Sequence, residues 1–250
     1  MSDKKFEMTF DPNVINHLGI QMYSTLPPVI GELIANAYDA EAENVNILLN
    51  DTNEKEIRII DDGHGMSYDE VIEKFLKIGR NRRELEQSEK SINGERYVIG
   101  KKGIGKLSFF GIAQNILINT VQNNRITSFE LNWDDLKEQG KQTGRYEPKL
   151  INQEEKCEKK HGTEIILSKI SRKSKFDSDS LAFSLARSFQ IFNESNFCTR
   201  IFHDDEEIDV SPIKNELRYK DIDEFLSWSF PLPIDKIQSE YLFKKILTEK

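Results

Sequence analysis

Residues 32–40 read ELIANAYDA, a stretch in which apolar and polar side chains recur with the period of a helix. With the positions just before it, it carries four apolar residues at the spacing of one buried helical face: Ile30, Leu33, Ile34 and Ala37. Two prolines precede them and suit a first helical turn, so we predict a helix over residues 27–42. Glu32, Asn36 and Asp39 share a second face of this helix. A carboxylate and a carboxamide one turn apart could act together there on a water molecule and a metal ion.

The chain that follows this helix predicts a pair of strands. Apolar residues alternate with polar ones in two neighbouring runs: Val45, Ile47 and Leu49, then Ile57 and Ile59. The second run leads directly into DDGHGM, residues 61–66. Glycines let the backbone approach a flat ligand closely, and a carboxylate can accept a hydrogen bond from an exocyclic amine. Residues 61–66 are therefore a candidate binding turn.

A second glycine-rich stretch, GKKGIGKLS, covers residues 100–108. Its glycines expose backbone N–H groups where we predict the start of a helix over residues 104–113, and its lysines can balance phosphate charge. The stretch lacks the GxxxxGK[ST] spacing of the P-loop, and it does not follow a strand as a dinucleotide fingerprint does. Before it, a capping box predicts a helix over residues 67–77. Residues 79–102 show no periodicity, which is typical of a functional lid or a disordered segment.

The rest of the chain reads mainly as strands. HGTEI, residues 161–165, places a Gly-Thr pair at the entry to one of them. The predicted strands are 115–121 and 125–133, joined by a turn at Asn123 and Asn124, then 163–167 after a charged linker at 153–160, and a hairpin of 197–203 with 207–210. Two further helices are predicted at 180–192 and 241–247. The composition shifts after about residue 170, which indicates a domain boundary there.

The composition excludes several classes of protein. Hydrophobic residues make up 37% and charged residues 31%, as in a folded, soluble chain. Since no apolar run is long enough to span a membrane and the N-terminus does not resemble a signal peptide, we expect a cytoplasmic protein without membrane contact. Cys157 and Cys198 alone form no disulfide framework or metal cluster. The net charge of −8 argues against a surface built to coat nucleic acid, although residues 77–106 carry nine basic and four acidic side chains.

In this order, ELIANAYDA, DDGHGM, GKKGIGKLS and HGTEI resemble the motifs of the GHKL ATPase superfamily. Its members include type II topoisomerase ATPase subunits, the ninety-kilodalton heat-shock chaperone, sensor histidine kinases and MutL mismatch-repair proteins. The resemblance covers roughly residues 10–170 and is nearest to the MutL, MORC and heat-shock-like branch. It implies an α/β fold of Bergerat type, a two-layer sandwich in which helices cover one face of a mixed, mainly antiparallel sheet. The implied domains are an ATP-binding domain over residues 1–170 and a small α+β extension, or the start of a transducer-like domain, over residues 171–250.

The resemblance also implies roles for individual residues. Glu32 would be the general base that orients the attacking water, and Asn36 would hold Mg²⁺ through its side-chain oxygen. Asp61 would bind the adenine amino group, with Thr163 supporting it and Gly65 leaving room beside the base. The other implied nucleotide contacts are Gly63, Met66, Gly100, Lys101, Lys102, Gly103, Ile104, Gly105 and Lys106. Lys106, Lys101 and Lys102 are alternative candidates for the contact with the γ-phosphate. Asp39 is expected to be structural or to support the residues that contact the ligand.

The implied activity is Mg²⁺-dependent binding and hydrolysis of ATP. In the dimerising branches ATP closes a lid and two protomers associate, so the resemblance implies an ATP-gated homodimer within a longer parent protein, with the segment before Leu26 able to exchange between protomers. A nucleic-acid or protein client would bind outside this fragment. Two alternatives are a non-hydrolysing, nucleotide-sensing module and a histidine kinase catalytic domain. Glu32 argues against both alternatives. It would be the general base of hydrolysis, and kinases of this superfamily generally lack that carboxylate.

Overall fold

The structure is a computed structural model, and it describes residues 5–9, 25–52, 54–77, 91, 96–99, 105–193 and 195–219. The strands are β1 (Met8–Thr9), β2 (Asn44–Asn50), β3 (Glu56–Asp61), β4 (Ala113–Gln122), β5 (Arg125–Asn132), β6 (Arg145–Tyr146), β7 (Lys149–Lys156), β8 (Gly162–Ile170), β9 (Cys198–His203) and β10 (Glu206–Glu207). The α-helices are α1 (Leu26–Asp39), α2 (Tyr68–Glu70), α3 (Trp133–Thr143) and α4 (Ser178–Ser188). A π-helical turn (Val71–Phe75) and two 3₁₀ helices (Gly105–Gly111 and Asn215–Tyr219) complete the described elements.

Eight strands form one sheet in the order β10-β9-β2-β3-β8-β4-β5-β7. Neighbouring strands are antiparallel except for β2 and β9, which are parallel. Strand β1 pairs separately with β6, where fully buried Met8 lies opposite Tyr146. The predicted mixed, mainly antiparallel sheet is therefore confirmed.

The core lies on one side of this sheet, where a row of apolar residues crosses six strands in direct register. Its members, from β9 to β5, are Ile201, Ile47, Ile59, Ile165, Ile118 and Phe129. Helices α1 and α4 add their apolar residues to the same core cluster. On the other side of the sheet the corresponding positions are partly exposed and mostly polar, as at Asn46, Asn119 and Glu164. Alternation along each strand therefore produces the two-layer sandwich.

Helix α1 is buried on nearly every side. It begins at Leu26 with proline in its first turn, as predicted, but it ends at Asp39 rather than at residue 42. The reason is the backbone of Glu41, whose φ of 61° is left-handed and stops the helix. Glu32 and Asn36 continue the partly exposed strip of the helix that starts at Pro28. Asp39, which the spacing places on the same face, is instead buried.

Three other predicted helices differ from those observed. The capping box at Ser67 is present, with both of its hydrogen bonds, but α2 soon widens into the π-helical turn, in which the N–H of Leu76 bonds to the carbonyl of Val71. The helix predicted over 104–113 is the 3₁₀ helix Gly105–Gly111, and β4 has already begun at Ala113. Helix α4 ends at Ser188, short of residue 192.

Two strand predictions also need correction, and one helix was not predicted. The charged linker at 153–160 is part of β7 as far as Lys156, because an edge strand tolerates charged side chains. The second strand of the predicted hairpin, expected at 207–210, is only the two-residue β10 at Glu206–Glu207. Helix α3 was missed despite its signals: Asn132 caps its start and Gly144, with a φ of 65°, ends it. The helix predicted at 241–247 lies outside the described residues.

Candidate functional site

A polar row crosses the core-facing side of the sheet two residues beyond the apolar one. Asp61 at the end of β3 pairs with Thr163 of β8, which pairs in turn with Thr120 of β4. Thr120 is fully buried and Thr163 nearly so. Buried hydroxyls and carboxylates require hydrogen-bond partners. The polar row therefore marks where the apolar core on this side of the sheet ends.

The hydrogen bonds of this row fix the Asp61 side chain. Its Oδ1 accepts from the backbone N–H of Gly63 at 2.9 Å and of Thr163 at 3.2 Å. The hydroxyls of Thr163 and Thr120 lie 3.3 Å apart, and Thr120 Oγ1 accepts from the backbone N–H of Met66 at 2.8 Å. Within the described part of the chain, Oδ2 of Asp61 makes no hydrogen bond. One carboxylate oxygen is thus held by the protein while the other can accept from a ligand.

Burial raises the pKa of Asp61 to about 6, even though the two backbone hydrogen bonds and nearby Lys159 act in the opposite direction. At neutral pH the Asp61 carboxylate is therefore ionised although it is poorly hydrated. This lowers the free energy of unfolding. A group kept in such a state is a candidate for ligand binding.

Replacing Asp61 with asparagine is expected to stabilise the protein without ligand by about 1–2 kcal/mol at pH 7.5. Asparagine keeps an oxygen for the two backbone donors and removes the charge. Because the pKa of Asp61 is higher in the folded than in the unfolded chain, its ionisation costs stability as the pH rises from about 4 to about 6. Urea unfolding at both pH values tests this, and the advantage of the variant should disappear at pH 4. A variant less stable than wild type at pH 7.5 would contradict the assignment.

The turn after Asp61 is wedged between the end of α1 and strand β4. A Cβ on Gly63 would lie 2.8 Å from the carbonyl oxygen of Ala40, and a Cβ on Gly65 would lie 1.9 Å from that of Val121. Gly65 also has a φ of 66°, which disfavours any other residue. His64 donates its backbone N–H to Ala40 at 3.0 Å, so it braces the turn.

Helix α1 brings Glu32 and Asn36 toward this turn. Ala40, which contacts Gly63, lies one helical turn after Asn36 on the same side, and Asn36 lies one turn after Glu32. With a rise of 1.5 Å per residue, Asn36 and Glu32 are therefore about 6 Å and about 12 Å from Ala40 along the helix axis. The partly exposed strip of α1 thus leads away from the Asp61 turn, and an elongated ligand seated there could reach both side chains.

The glycine-rich stretch lies only partly within the described residues. Gly105 and Lys106 open the 3₁₀ helix, whereas Gly100, Lys101, Lys102, Gly103 and Ile104 lie outside the description. Immediately before them, Ile99 donates its backbone N–H to Oδ1 of Asp39 at 2.7 Å. Ile99, which directly precedes the stretch, thus lies at the C-terminal end of α1.

Two residues at the site, Thr120 and His161, were not predicted. Thr120 completes the polar row, and strand alternation would have indicated it as a polar residue on the side of Ile116 and Ile118. His161 faces the carbonyl oxygens of Asp62 and Gly63 with Nδ1, at 2.8 and 2.9 Å, so this nitrogen carries the proton. Both residues lie on strands β4 and β8 or just before them, and their contacts depend on pairing that the sequence does not display.

Within the described ranges, no group of three or more His, Cys, Asp or Glu side chains could hold a metal ion. Asn36 could contribute one oxygen to a cation that is also held by oxygens of a bound ligand, as Mg²⁺ often is beside phosphates. Nor does the described part of the chain contain a helix long and apolar enough to cross a membrane.

Comparisons with known proteins agree with the geometry. Residues 23–163 match the model of a family described as histidine kinase-, DNA gyrase B-, and HSP90-like ATPase. A provisionally assigned type II restriction enzyme, HgiDII of Herpetosiphon aurantiacus, is 36% identical over 197 residues, which are 78% of this chain and 31% of that protein.

Two shorter or weaker similarities concern other members of the same group. The DNA mismatch repair protein MutL of Bacteroides fragilis is 54% identical over 39 residues, 16% of this chain and 6% of its own. The chaperone protein HtpG of Francisella tularensis subsp. holarctica is 27% identical over 187 residues, 67% of this chain and 28% of its own. The chain spans less than a third of the length of each of these relatives.

Proposed function

Because this chain belongs to the histidine kinase-, DNA gyrase B- and HSP90-like ATPase family, we propose that it binds ATP with Mg²⁺ and hydrolyses it. The observation that carries the proposal is Asp61, whose Oδ1 is fixed by two backbone donors while Oδ2 is left for a ligand. The adenine ring would lie against the turn of Gly63 and Gly65, which packs closely on neighbouring backbone and leads out of Asp61.

The adenine amino group would donate to Oδ2 of Asp61. Guanine carries a carbonyl oxygen at the same position, so two acceptors would face each other and the site would disfavour GTP. Thr163 and Thr120 would keep the carboxylate from turning toward another partner. The raised pKa of Asp61 implies that ATP affinity falls as the pH drops below about 6, where the carboxyl becomes protonated.

The phosphates would lie along the exposed strip of α1 and against the glycine-rich stretch. Mg²⁺ bound to Asn36 and to phosphate oxygens would neutralise phosphate charge. Glu32, one turn further along, would orient a water molecule toward the γ-phosphate and accept its proton. Backbone N–H groups of Gly103, Ile104 and Gly105 would bind the phosphates, and one of Lys101, Lys102 and Lys106 would balance their charge.

We also propose that ATP binding promotes homodimerisation and that the cycle serves other parts of a longer protein. The relatives are more than three times as long as the region they share with this chain, which supports the second point. Within this structure, β1 pairs with β6 of the same chain and Phe6 stacks on Tyr68 at 5.4 Å between ring centroids. An exchange of the N-terminal segment between protomers would have to replace these contacts with identical ones from the partner.

The proposal is tested by titration calorimetry with ATP and GTP, followed by steady-state turnover with and without Mg²⁺. We expect ATP to bind about 100-fold more tightly than GTP, since a site built for a hydrogen-bond donor rejects a ligand that lacks it. Asp61→Asn should abolish detectable binding. Asp69→Asn, on the exposed surface of α2, is the matched control and should bind as wild type does.

Each outcome separates two functions. Binding with Mg²⁺-dependent turnover supports an ATPase, and turnover per protomer that rises with protein concentration supports the dimer. Binding without turnover supports the nucleotide-sensing alternative. No binding of ATP, or equal binding by Asp61→Asn, would overturn the proposed site.

A further inference from the structure

Arg96 is bound tightly to the C-terminal end of α1. Its Nη1 donates to the carbonyl oxygens of Tyr38 at 3.2 Å and Ala42 at 2.7 Å, and its Nη2 donates to that of Asn196 at 2.8 Å. The guanidinium lies 4.6 Å from the ring centroid of Tyr38 and 5.6 Å from that of Phe197. Three carbonyl oxygens and two aromatic rings thus hold the Arg96 side chain. The sequence alone shows this residue only as part of a basic run.

The charge of Arg96 suits this place. The last carbonyls of a helix lack partners and carry partial negative charge, which a nearby cation stabilises. Helix α1 has no basic residue in its own last turn. Arg96 therefore supplies the cation that would complete the helix, although it comes from a part of the chain more than fifty residues away.

A second contact fixes the same segment to the same helix end. Buried Asp39, the last residue of α1, accepts the backbone N–H of Ile99 at 2.7 Å. Further back, the backbone N–H of Ser91 donates to the carbonyl of Arg96 at 2.8 Å, and Arg96 N–H donates to Ser91 Oγ at 3.0 Å. Residues 96–99 are therefore anchored at both of their ends.

In the sequence, the anchored residues 96–99 lead directly into the glycine-rich stretch, whose first residue is Gly100. The same end of α1 contacts the Asp61 turn, since Ala40 accepts from His64 and limits the space beside Gly63. One helix end thus contacts both the turn that would bind adenine and residues 96–99, which lead into the stretch that would bind phosphates.

We propose that Arg96 and Asp39 are positioning residues for ATP: together they form a latch, defined by these two side chains, that fixes residues 96–99, which directly precede the glycine-rich stretch, to α1. The inference rests on the proposed function. In the proposed binding mode the latch would contact neither the nucleotide nor Glu32. Its loss should therefore weaken ATP binding, whereas turnover at saturating ATP, which depends on Glu32, should change little.

The experiment measures KM and kcat for ATP, and the dissociation constant by calorimetry, in four variants. Arg96→Met keeps length and apolar contact with the rings but removes every donor, and Asp39→Ala removes the acceptor of Ile99. Asp39→Asn keeps an acceptor oxygen and is the conservative rescue. Arg172→Met, at an exposed arginine bonded to Ser174, is the matched control.

We expect Arg96→Met and Asp39→Ala to raise KM and the dissociation constant at least tenfold, with kcat within about threefold of wild type. Asp39→Asn and Arg172→Met should stay within about threefold in all three constants. Wild-type affinity in both Arg96→Met and Asp39→Ala would overturn the latch, and so would an equal loss in Asp39→Asn and Asp39→Ala.

Two further measurements distinguish a loss of the latch from a failure of the proposed function and from misfolding of a variant. If wild type itself fails to bind ATP, the proposed function fails, whereas loss of affinity confined to the latch variants concerns the latch alone. Circular dichroism and thermal unfolding establish that each variant is folded. If Arg96→Met does not fold, the Asp39→Ala and Asp39→Asn pair decides the question, since only Asp39→Asn keeps an oxygen that can accept from Ile99.

Discussion

Replacement of Glu32 by alanine is expected to lower kcat for ATP hydrolysis by about 10²–10⁴-fold, the range of general-base catalysis, while ATP affinity stays within about threefold. The physical reason is that a carboxylate which orients and deprotonates water acts on the transition state and contributes little to binding of the ground state. Glu32 lies on the partly exposed strip of an otherwise buried helix, so its replacement leaves the core intact.

The measurement is steady-state turnover at saturating ATP, with calorimetry on the same preparations. Glu138→Ala, an exposed glutamate on helix α3, is the matched control and should turn over ATP at the wild-type rate. Glu32→Gln should be as inactive as Glu32→Ala, because the amide can hold water but cannot accept its proton. Full activity in Glu32→Ala would place the base elsewhere.

Replacement of Gly65 by alanine is expected to abolish ATP binding and to destabilise the protein by at least about 2 kcal/mol. The added Cβ would lie 1.9 Å from the carbonyl oxygen of Val121, which belongs to a strand paired on both sides and cannot move away. The left-handed φ of 66° adds strain that glycine avoids. The turn must shift, and Asp61 with it.

Urea unfolding and calorimetry test this prediction, and a second glycine separates its two causes. Gly144 ends helix α3 with a nearly identical φ of 65°, so Gly144→Ala introduces the same backbone strain away from the site. It should cost about 1 kcal/mol and leave ATP binding unchanged. Equal effects at both glycines would show that backbone strain, and not the close approach to β4, limits Gly65.

Much of the fold was predictable from local pattern. Helix α1, the β2–β3 pair and the turn at Asn123 and Asn124 all have signals within a few residues, and both asparagines adopt the positive φ that such a tight turn requires. The family was also predicted correctly, because four motifs in a fixed order carry more information than any one of them. Gly63 and Gly65 pack against backbone of the protein itself, and their role beside a ligand stays a prediction.

The rest depended on contacts between distant parts of the chain. Helical spacing puts Asp39 on the face of Glu32 and Asn36, yet it is buried because residues 96–99 pack over that end of α1. Arg96 was counted as one member of a basic run, and nothing in its neighbourhood in sequence predicts three carbonyl partners. The role of each residue in the candidate site stays a prediction, Asn36 and Lys106 included, and the experiments above test those of Asp61, Glu32 and Gly65.

The pairing of β2 with β9 has a consequence for the order in which the protein folds. The β4–β5 hairpin closes over a two-residue turn, and β7 adds to it after a short helix, so these strands can form as soon as they leave the ribosome. Asp61, in contrast, meets Thr163 102 residues later, and β2 waits for β9 later still. Because such high-contact-order steps are slow, the polar row beneath the candidate site is completed late, and the edge of β2 stays open to other chains until β9 pairs with it.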